Sequence, residues 1–366
     1  MDKNLQYPTF NRALDSEFSR TLKGRVSSYF KSNNLSRKAN SSMVIKTIIM
    51  LALFFIPLII LCTVQISQVQ IVFLLYIVSG MGMAGIGMGV MHDAIHGAYS
   101  KHKYINTILG YTFNMIGANA TVWKIQHNVL HHTYTNIDEA DDDLNMPFFL
   151  RFSPHAKHYK IHKFQHLYVW FFYSISTLAW VTVKDYVRIY RYKNKGFLKA
   201  KHQFRNAILS MATWKLIYFS YTLIIPILIS PLSWWILVLA FILMHLLVGL
   251  LVSVVFQIAH IMPTIKFPLP NKEVAMEVNW YRHQFDTTTN FSPNNKILSW
   301  LIGGLNYQVE HHVLPNVCHV HYNNISVIVA DTAHEFGIPY HVKSNLSQAL
   351  GDHIKMLKIL GNPPLA

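Results

Sequence analysis

Clustered histidines are the feature of this sequence that most directly suggests chemistry. Histidine supplies 21 of the 366 residues, whereas cysteine supplies only two. The histidines of interest lie in three short clusters and at one isolated position: His92-Asp-Ala-Ile-His96 (cluster 1), His127-Asn-Val-Leu-His131-His132 (cluster 2), Gln308-Val-Glu-His311-His312 (cluster 3) and His260. Because imidazole is the commonest metal ligand in proteins, the clusters together predict a metal site.

The spacing within the clusters fits ligands that project from helices. Residues four apart share a helix face, so His92 with His96, and His127 with His131, can direct two imidazoles at one point. The adjacent His132 points about 100° away from His131 and can reach a second ion. Eight histidines and a glutamine exceed the needs of one ion, so we expect two. Iron, zinc and copper all accept imidazole, and residue chemistry alone leaves the metal open.

Carboxylates near the clusters are candidates for orienting the imidazoles through hydrogen bonds to ring N–H groups. Asp93 and Glu310 lie inside clusters, and Asp138 and Glu139 begin an acidic run that continues through residues 141–143. A solvated loop is the alternative interpretation of this run. The sequence leaves both interpretations open.

The overall composition indicates a membrane protein. Hydrophobic residues make up 52% of the chain and charged residues only 13%, about half the charged content of a soluble domain. Four strongly apolar stretches predict transmembrane helices at about 47–64, 71–91, 213–230 and 232–259, because a bilayer core of about 30 Å needs roughly 20 helical residues. The short connections within each pair predict two helical hairpins.

The distribution of charge predicts the orientation. The connections at 65–70 and 230–233 contain no Lys or Arg, whereas the N-terminal arm, residues 92–208 and the C-terminal region hold nearly all of them. By the positive-inside rule these three regions, and both termini, face the cytoplasm. The net charge of +15 is then explained by anionic lipids and topology, without nucleic acid.

Two further apolar stretches, 105–123 and 167–183, are expected to lie along the cytosolic membrane face. If either crossed the bilayer alone, the histidine clusters would be divided between its two sides. The glycines Gly80, Gly82 and Gly85 match a dinucleotide-binding pattern by letters, but they lie within an apolar span. Close helix–helix packing explains them better.

The three clusters, set between paired membrane hairpins, resemble the histidine boxes of the membrane fatty acid desaturase family. The resemblance covers residues 43–345, and the glutamine that opens cluster 3 resembles the front-end branch, of the delta-6 linoleoyl-CoA desaturase type. The family implies a non-haem di-iron centre held by His92, His96, His127, His131, His132, His260, His311 and His312. Gln308 is the further candidate ligand, and it would coordinate weakly, through a water, or not at all. It also implies O2 as co-substrate, and it makes Trp123 a candidate for the acyl tunnel, with an interfacial anchor as its alternative role.

The resemblance also predicts the partners and the location. The substrate is a fatty acyl chain, carried either as a CoA thioester or on a lipid. The first 42 residues contain no histidine and are too short for the fused haem domain of many front-end members, so we expect a separate ferredoxin- or cytochrome-type protein to supply electrons. We expect the bacterial cytoplasmic membrane, or the endoplasmic reticulum in a eukaryote.

The predicted fold class is an all-α membrane protein whose four helices form two hairpins beneath a cytosolic helical cap with a di-metal site. We expect a cytosolic arm at 1–42, the desaturase domain at 43–345 and a tail at 346–366. Two other functions remain open. The same di-iron scaffold can hydroxylate lipids or hydrocarbons, and a metal transporter can also use histidines. A transporter places its ligands near the bilayer midplane, whereas only His245 is so placed here.

Overall fold

The described residues are predominantly helical with almost no sheet, as the sequence predicts. The computed structural model describes residues 7–11, 13–198 and 200–363. The α-helices are, in chain order, α1 (Ser16–Ser32), α2 (Ser41–Thr63), α3 (Val69–Gly85), α4 (Met91–Ile95), α5 (Lys103–Gly110), α6 (Thr112–Met115), α7 (Ala120–Lys124), α8 (His132–Tyr134), α9 (Gln165–Ala179), α10 (Asp185–Asn194), α11 (Lys201–Phe219), α12 (Ile225–Ile229), α13 (Trp234–His260), α14 (Trp280–Thr287), α15 (Lys296–Leu301), α16 (Gln308–Val313), α17 (Tyr322–Glu335) and α18 (Leu346–Gly361).

Shorter elements complete the secondary structure. π-Helical turns lie at Ile86–Val90, Ile125–His131, Trp180–Lys184 and Ser220–Ile224, and 3₁₀ turns at Lys160–Phe164 and His319–His321. Two-residue strands form two parallel pairs: β1 (Thr9–Phe10) with β2 (Ala275–Met276), and β3 (Asn290–Phe291) with β4 (Val342–Lys343).

Four helical stretches in the described residues are long and apolar enough to cross a membrane. They are Ser41–Thr63, Val69–Ile95, Lys201–Ile229 and Trp234–His260. The apolar cores of all four were predicted, but the third helix begins twelve residues earlier, because a polar, basic segment continues the helix beyond its apolar part. The stretch predicted at 105–123 is divided among α5, α6 and α7, none of which is long enough to span.

The chain divides into two compact units. The first contains the described parts of Met1–Lys38, Gln126–Val169 and Val255–Ala366, and the second contains Ala39–Ile125 and Trp170–Val254. Clusters 2 and 3 and His260 belong to the first unit, whereas cluster 1 and Trp123 belong to the second.

In the second unit, small residues allow two membrane helices to pack closely. A Cβ atom on Gly82 of α3 would lie 2.8 Å from the carbonyl oxygen of Met50 in α2, closer than real Cβ contacts. This confirms that the glycine pattern serves packing. His245 is hydrogen-bonded within the helices, as expected, since its Nε2 lies 2.8 Å from the Tyr218 hydroxyl and its Nδ1 lies 3.2 Å from that of Thr177.

The first unit has its own apolar core, built largely from α1 and α17. Phe18, Leu22 and Val26 recur at helical spacing along one face of α1 and are almost completely buried against residues such as Ile325 and Val329 of α17. The short pair of β3 and β4 brings residues near 290 and 340 together. This core and these strands hold the segment that contains cluster 3.

Candidate metal centre

Cluster 2 lies on a π-helical turn, which the sequence did not reveal. The turn covers Ile125–His131 and leads directly into α8. Because π-helices bond residue i to i+5, His127 and His132 come together, with their Nε2 atoms 3.1 Å apart. The ring planes of His131 and His132 are inclined to each other by 83°. The pairing of His127 with His132 depends on the π-turn and does not follow from α-helical spacing.

Cluster 3 and His260 meet cluster 2 in the same buried volume. Nε2 of His311 in α16 lies 2.9 Å from Nε2 of His132. The His260 ring, at the end of α13, lies 4.7 Å from that of His131 and 4.8 Å from that of His312. Three overlapping sets of candidate ligand atoms in this unit each lie within 4.8 Å: those of His131, His260 and His312, those of His132, His311 and His312, and those of His127, His131 and Asp143.

Outer hydrogen bonds orient three of these rings. In each case Nδ1 faces an oxygen acceptor: His131 faces both carboxylate oxygens of Asp141 at 3.1 Å, His312 faces Oε1 of Gln284 at 2.8 Å, and His260 faces the Thr287 carbonyl oxygen at 3.3 Å. A proton held on Nδ1 leaves the Nε2 lone pair available to a metal. Nε2 of His131 has no hydrogen-bonding partner among the described residues. This donor set fits a metal ion that accepts imidazole.

The acidic run is largely buried, so the solvated-loop interpretation is wrong for Asp141 and its two neighbours. Asp141 also accepts the backbone N–H groups of Asn136 and Asp143, at 3.0 and 2.9 Å. Burial alone lowers the pKa of His131, but the charge and hydrogen bond of Asp141 outweigh burial and raise the pKa overall. The loop thus brings a carboxylate to a candidate ligand.

Three of the four carboxylates named from sequence, Glu310, Asp138 and Glu139, occupy different surroundings. Glu310 is completely buried and accepts hydrogen bonds from Tyr340 and Asn290, both at 2.7 Å. Burial raises its pKa to about 7, and these two bonds oppose the rise. Asp138 is half-buried and close to Arg151, and Glu139 is exposed.

Gln308, at the start of α16, is buried beside His260. Its two side-chain polar atoms make no hydrogen bond of standard geometry among the described residues. The amide is therefore available to a further group, whether an ion or a water.

Cluster 1 lies in the second unit, at the end of the second predicted span. His92 is in α4 and His96 follows it, with ring centroids 4.9 Å apart. Asp93 Oδ1 is 4.0 Å from Nδ1 of His92. Trp123 is buried, with its ring 5.5 Å from that of His92 and 6.0 Å from that of His96. Trp123 thus contacts both rings of cluster 1, and its burial favours a lining role over an interfacial anchor.

Sequence reasoning missed α14, which contacts the histidine segments along one face. Trp280 Nε1 donates to the His132 carbonyl oxygen at 2.9 Å, and His283 Nε2 donates to that of Thr135 at 2.8 Å. Gln284 and Thr287 contact His312 and His260 as described above. The four positions have the spacing i, i+3, i+4 and i+7 of one helix face, and this polar stripe was the signal available in the sequence.

Sequence comparison with known proteins identifies the family of this chain. A family model described as fatty acid desaturase matches residues 67–344. An sn-1 linoleoyl-lipid 6-desaturase of Arthrospira platensis is 32% identical over 97% of this chain and 95% of its own length. One from Synechocystis sp. is 33% identical over 94% and 95%. An acyl-lipid (8-3)-desaturase of Physcomitrium patens is 30% identical over 95% of this chain and 72% of its own.

Matches of this extent, together with four membrane helices and buried histidine clusters, settle the identity. The chain belongs to the fatty acid desaturase family and is a membrane oxidoreductase that introduces double bonds into fatty acyl chains.

Proposed function

We propose that this protein is a front-end desaturase, which inserts a double bond between an existing double bond and the carboxyl end of an acyl chain. The substrate would be a linoleoyl-type chain, and the new double bond would lie at a delta-6-like position. The observation that carries the proposal is similarity over nearly the whole chain to two proteins named as linoleoyl-lipid 6-desaturases. Their names also favour a lipid-linked substrate over a CoA thioester.

The proposed metal centre contains two iron ions. The ligands would be His92, His96, His127, His131, His132, His260, His311 and His312, with Gln308 adjacent, either directly or through a water. The inward Nε2 atoms of the first unit and their outer hydrogen bonds support this assignment. When bound, iron with O2 would supply the oxidising power for an unactivated C–H bond, which no amino-acid side chain has.

The side chains of this protein would orient the ligands, exclude water and hold the acyl chain in place. All six candidate histidines of the first unit are at most 5% exposed, so bulk water is excluded from the reacting groups. The methylenes of an acyl chain differ only in position, so regioselectivity requires a fixed register. We assign Trp123 to the wall that holds the chain beside cluster 1.

Electron balance requires a separate donor in this proposal. Reduction of O2 to two waters consumes four electrons, and conversion of a CH2–CH2 unit to CH=CH supplies two, together with two protons. The remaining two electrons must come from another protein, of ferredoxin or cytochrome type, with two protons from solvent. If all four helices span the membrane, both termini would lie on one side, and the distribution of Lys and Arg favours the cytoplasmic side.

Product analysis in a living host tests the proposal. Cells that contain a reduced donor would express the protein and receive linoleic and alpha-linolenic acids, and double bonds would be located by mass spectrometry of derivatised chains. The fed acids would carry an isotopic label. We expect a labelled product with a new double bond on the carboxyl side, and we expect this product to appear in intact lipids before it appears in the acyl-CoA pool. His311→Ala should abolish the product, whereas His334→Ala, at an exposed position of α17, should retain it. Hydroxylated chains, or no product, would contradict the proposal.

A further inference from the structure

Gln284 of α14 lies between cluster 3 and the end of cluster 2 in the first unit. Its side chain is completely buried, and one atom, Oε1, lies 2.8 Å from Nδ1 of His312 and 3.0 Å from the hydroxyl of Thr135. That hydroxyl also lies 2.7 Å from the carbonyl oxygen of His131. A single glutamine thus links a ligand candidate of cluster 3 to the end of cluster 2.

The orientation of the Gln284 amide dictates where His312 carries its proton. Oε1 can only accept a hydrogen bond, so its contact with Nδ1 requires a proton on Nδ1 and leaves the Nε2 lone pair available. A reversed amide would present Nε2, a donor, to the same ring nitrogen. The proton of His312 would then sit on its Nε2, which could not bind a metal.

The surroundings of Gln284 do not force one orientation. Its Nε2 has no hydrogen-bonding partner among the described residues. The Thr135 hydroxyl has one proton, which the carbonyl oxygen of His131 can accept as well as Oε1 of Gln284, and it also lies 3.4 Å from Nδ1 of His312. A reversed amide would therefore satisfy the hydroxyl as well. Hydrogen bonding alone therefore tolerates both orientations, whereas metal binding to His312 selects the one with Oε1 on Nδ1.

We infer that Gln284 is a positioning residue that sets the tautomer of His312 and thereby the metal affinity of the centre. The inference deepens the proposed metal centre and rests on it. Asp141 performs the equivalent task for His131 with a carboxylate, which has no donor form. Gln284 does so with a neutral amide, so it holds His312 without adding a negative charge to the centre.

Substitutions at residue 284 separate this role from simple packing. Gln284→Glu keeps an oxygen acceptor beside Nδ1 of His312 and removes the NH2 group that a reversed amide would present. It should therefore favour the His312 tautomer with its proton on Nδ1, which can bind a metal through Nε2. Gln284→Leu keeps the approximate volume and removes the acceptor. If Gln284 only filled space, the buried charge of the glutamate would make Gln284→Glu the more damaging change.

The matched control is Gln165→Leu. Gln165 is also completely buried in the first unit, but its amide bonds the backbone of Arg151 and Leu357. The control therefore removes a buried glutamine of the same type outside the metal centre. It should reduce thermal stability without changing the metal affinity of the folded protein.

The experiment is a Co²⁺ titration of the purified, metal-free full-length protein, followed by the visible absorption of bound cobalt, with circular dichroism to confirm folding. We expect Gln284→Glu to bind Co²⁺ at least as tightly as the wild type and Gln284→Leu to bind about 10–100-fold more weakly. Equal affinity of Gln284→Leu and the wild type would overturn the inference, as would equal weakening by both substitutions.

The same titration distinguishes failure of this inference from failure of the proposed function. If the wild type binds no Co²⁺, both the metal centre and the role of Gln284 are refuted. If the expected order of affinities appears but the double-bond analysis shows no front-end product, the proposed function fails and the role of Gln284 stands.

Discussion

Replacement of Asp141 by asparagine should damage the metal centre more than any other single-atom change in the acidic loop. Both carboxylate oxygens are engaged twice. Oδ1 contacts His131 Nδ1 and the Asp143 N–H, at 3.1 and 2.9 Å, and Oδ2 contacts His131 Nδ1 and the Asn136 N–H, at 3.1 and 3.0 Å. An asparagine offers only one acceptor oxygen in their place.

The structure gives two magnitudes for this substitution. The side-chain NH2 must face a donor, either the imidazole N–H or a backbone N–H, in a site where Asp141 is 1% exposed. A buried donor left without its acceptor costs about 1–3 kcal/mol of folding free energy. Loss of the hydrogen bond that orients a ligand histidine typically costs about 10–100-fold in metal affinity, or about 1.4–2.7 kcal/mol.

Iron retention against a graded chelator, measured together with thermal unfolding, checks both magnitudes. The matched control is Glu139→Gln, which makes the same chemical change at an exposed position of the loop and should leave both measurements at wild-type values. The reasoning is refuted if Asp141→Asn retains iron as tightly as the wild type, or if Glu139→Gln releases it equally easily.

Three further predictions concern other parts of the chain. Burial lowers the pKa of His353 to about 4, so its unfolded form, with a pKa of about 6.5, binds the proton first as pH falls. The protein therefore loses stability as the pH falls from about 6.5 to 4. Between about pH 7.5 and 5 this loss of unfolding free energy should be about 2 kcal/mol smaller in His353→Gln than in the wild type. Thermal melts at several pH values test this, and an unchanged pH dependence in the variant would contradict it. Tyr340→Phe removes a hydrogen bond to buried Glu310 and should cost about 1–3 kcal/mol in chemical denaturation, and an unaltered midpoint would count against the role assigned to this pair. Gly82→Leu should lower the free energy of unfolding by about 1–3 kcal/mol or more, because the new side chain would meet the α2 backbone. A normal yield and melting temperature of this variant would disprove the prediction.

The sequence was sufficient for features that depend on residue type and local spacing. Long uncharged stretches predicted the membrane helices because only apolar residues can cross a bilayer. The spacing of the histidines predicted that the clusters share a site, and His127, His132 and His311 do lie together in the first unit. The glycines near 80–85 predicted close helix packing, which the approach of α2 to Gly82 confirms.

Features that depend on tertiary contact could not be predicted. The π-turn that brings His132 to His127 breaks the 3.6-residue period on which the spacing argument relied. Gln284 is 24 residues from His260 and 28 from His312 in sequence, so its contact with His312 is visible only in three dimensions. Burial of Asp141 likewise follows from the loop fold, since an acidic run by itself is typical of a solvated surface.

Iron content of the active protein tests the central claim most directly, namely that the buried histidine clusters hold the metal that performs desaturation. Protein purified from cells that form the product would be analysed by elemental mass spectrometry, in parallel with His132→Ala and with the exposed control His334→Ala. We predict two iron ions per chain in the wild type and the control, and a large loss of iron in His132→Ala. An active wild type that contains no iron, or a His132→Ala protein that keeps both ions, would contradict the account.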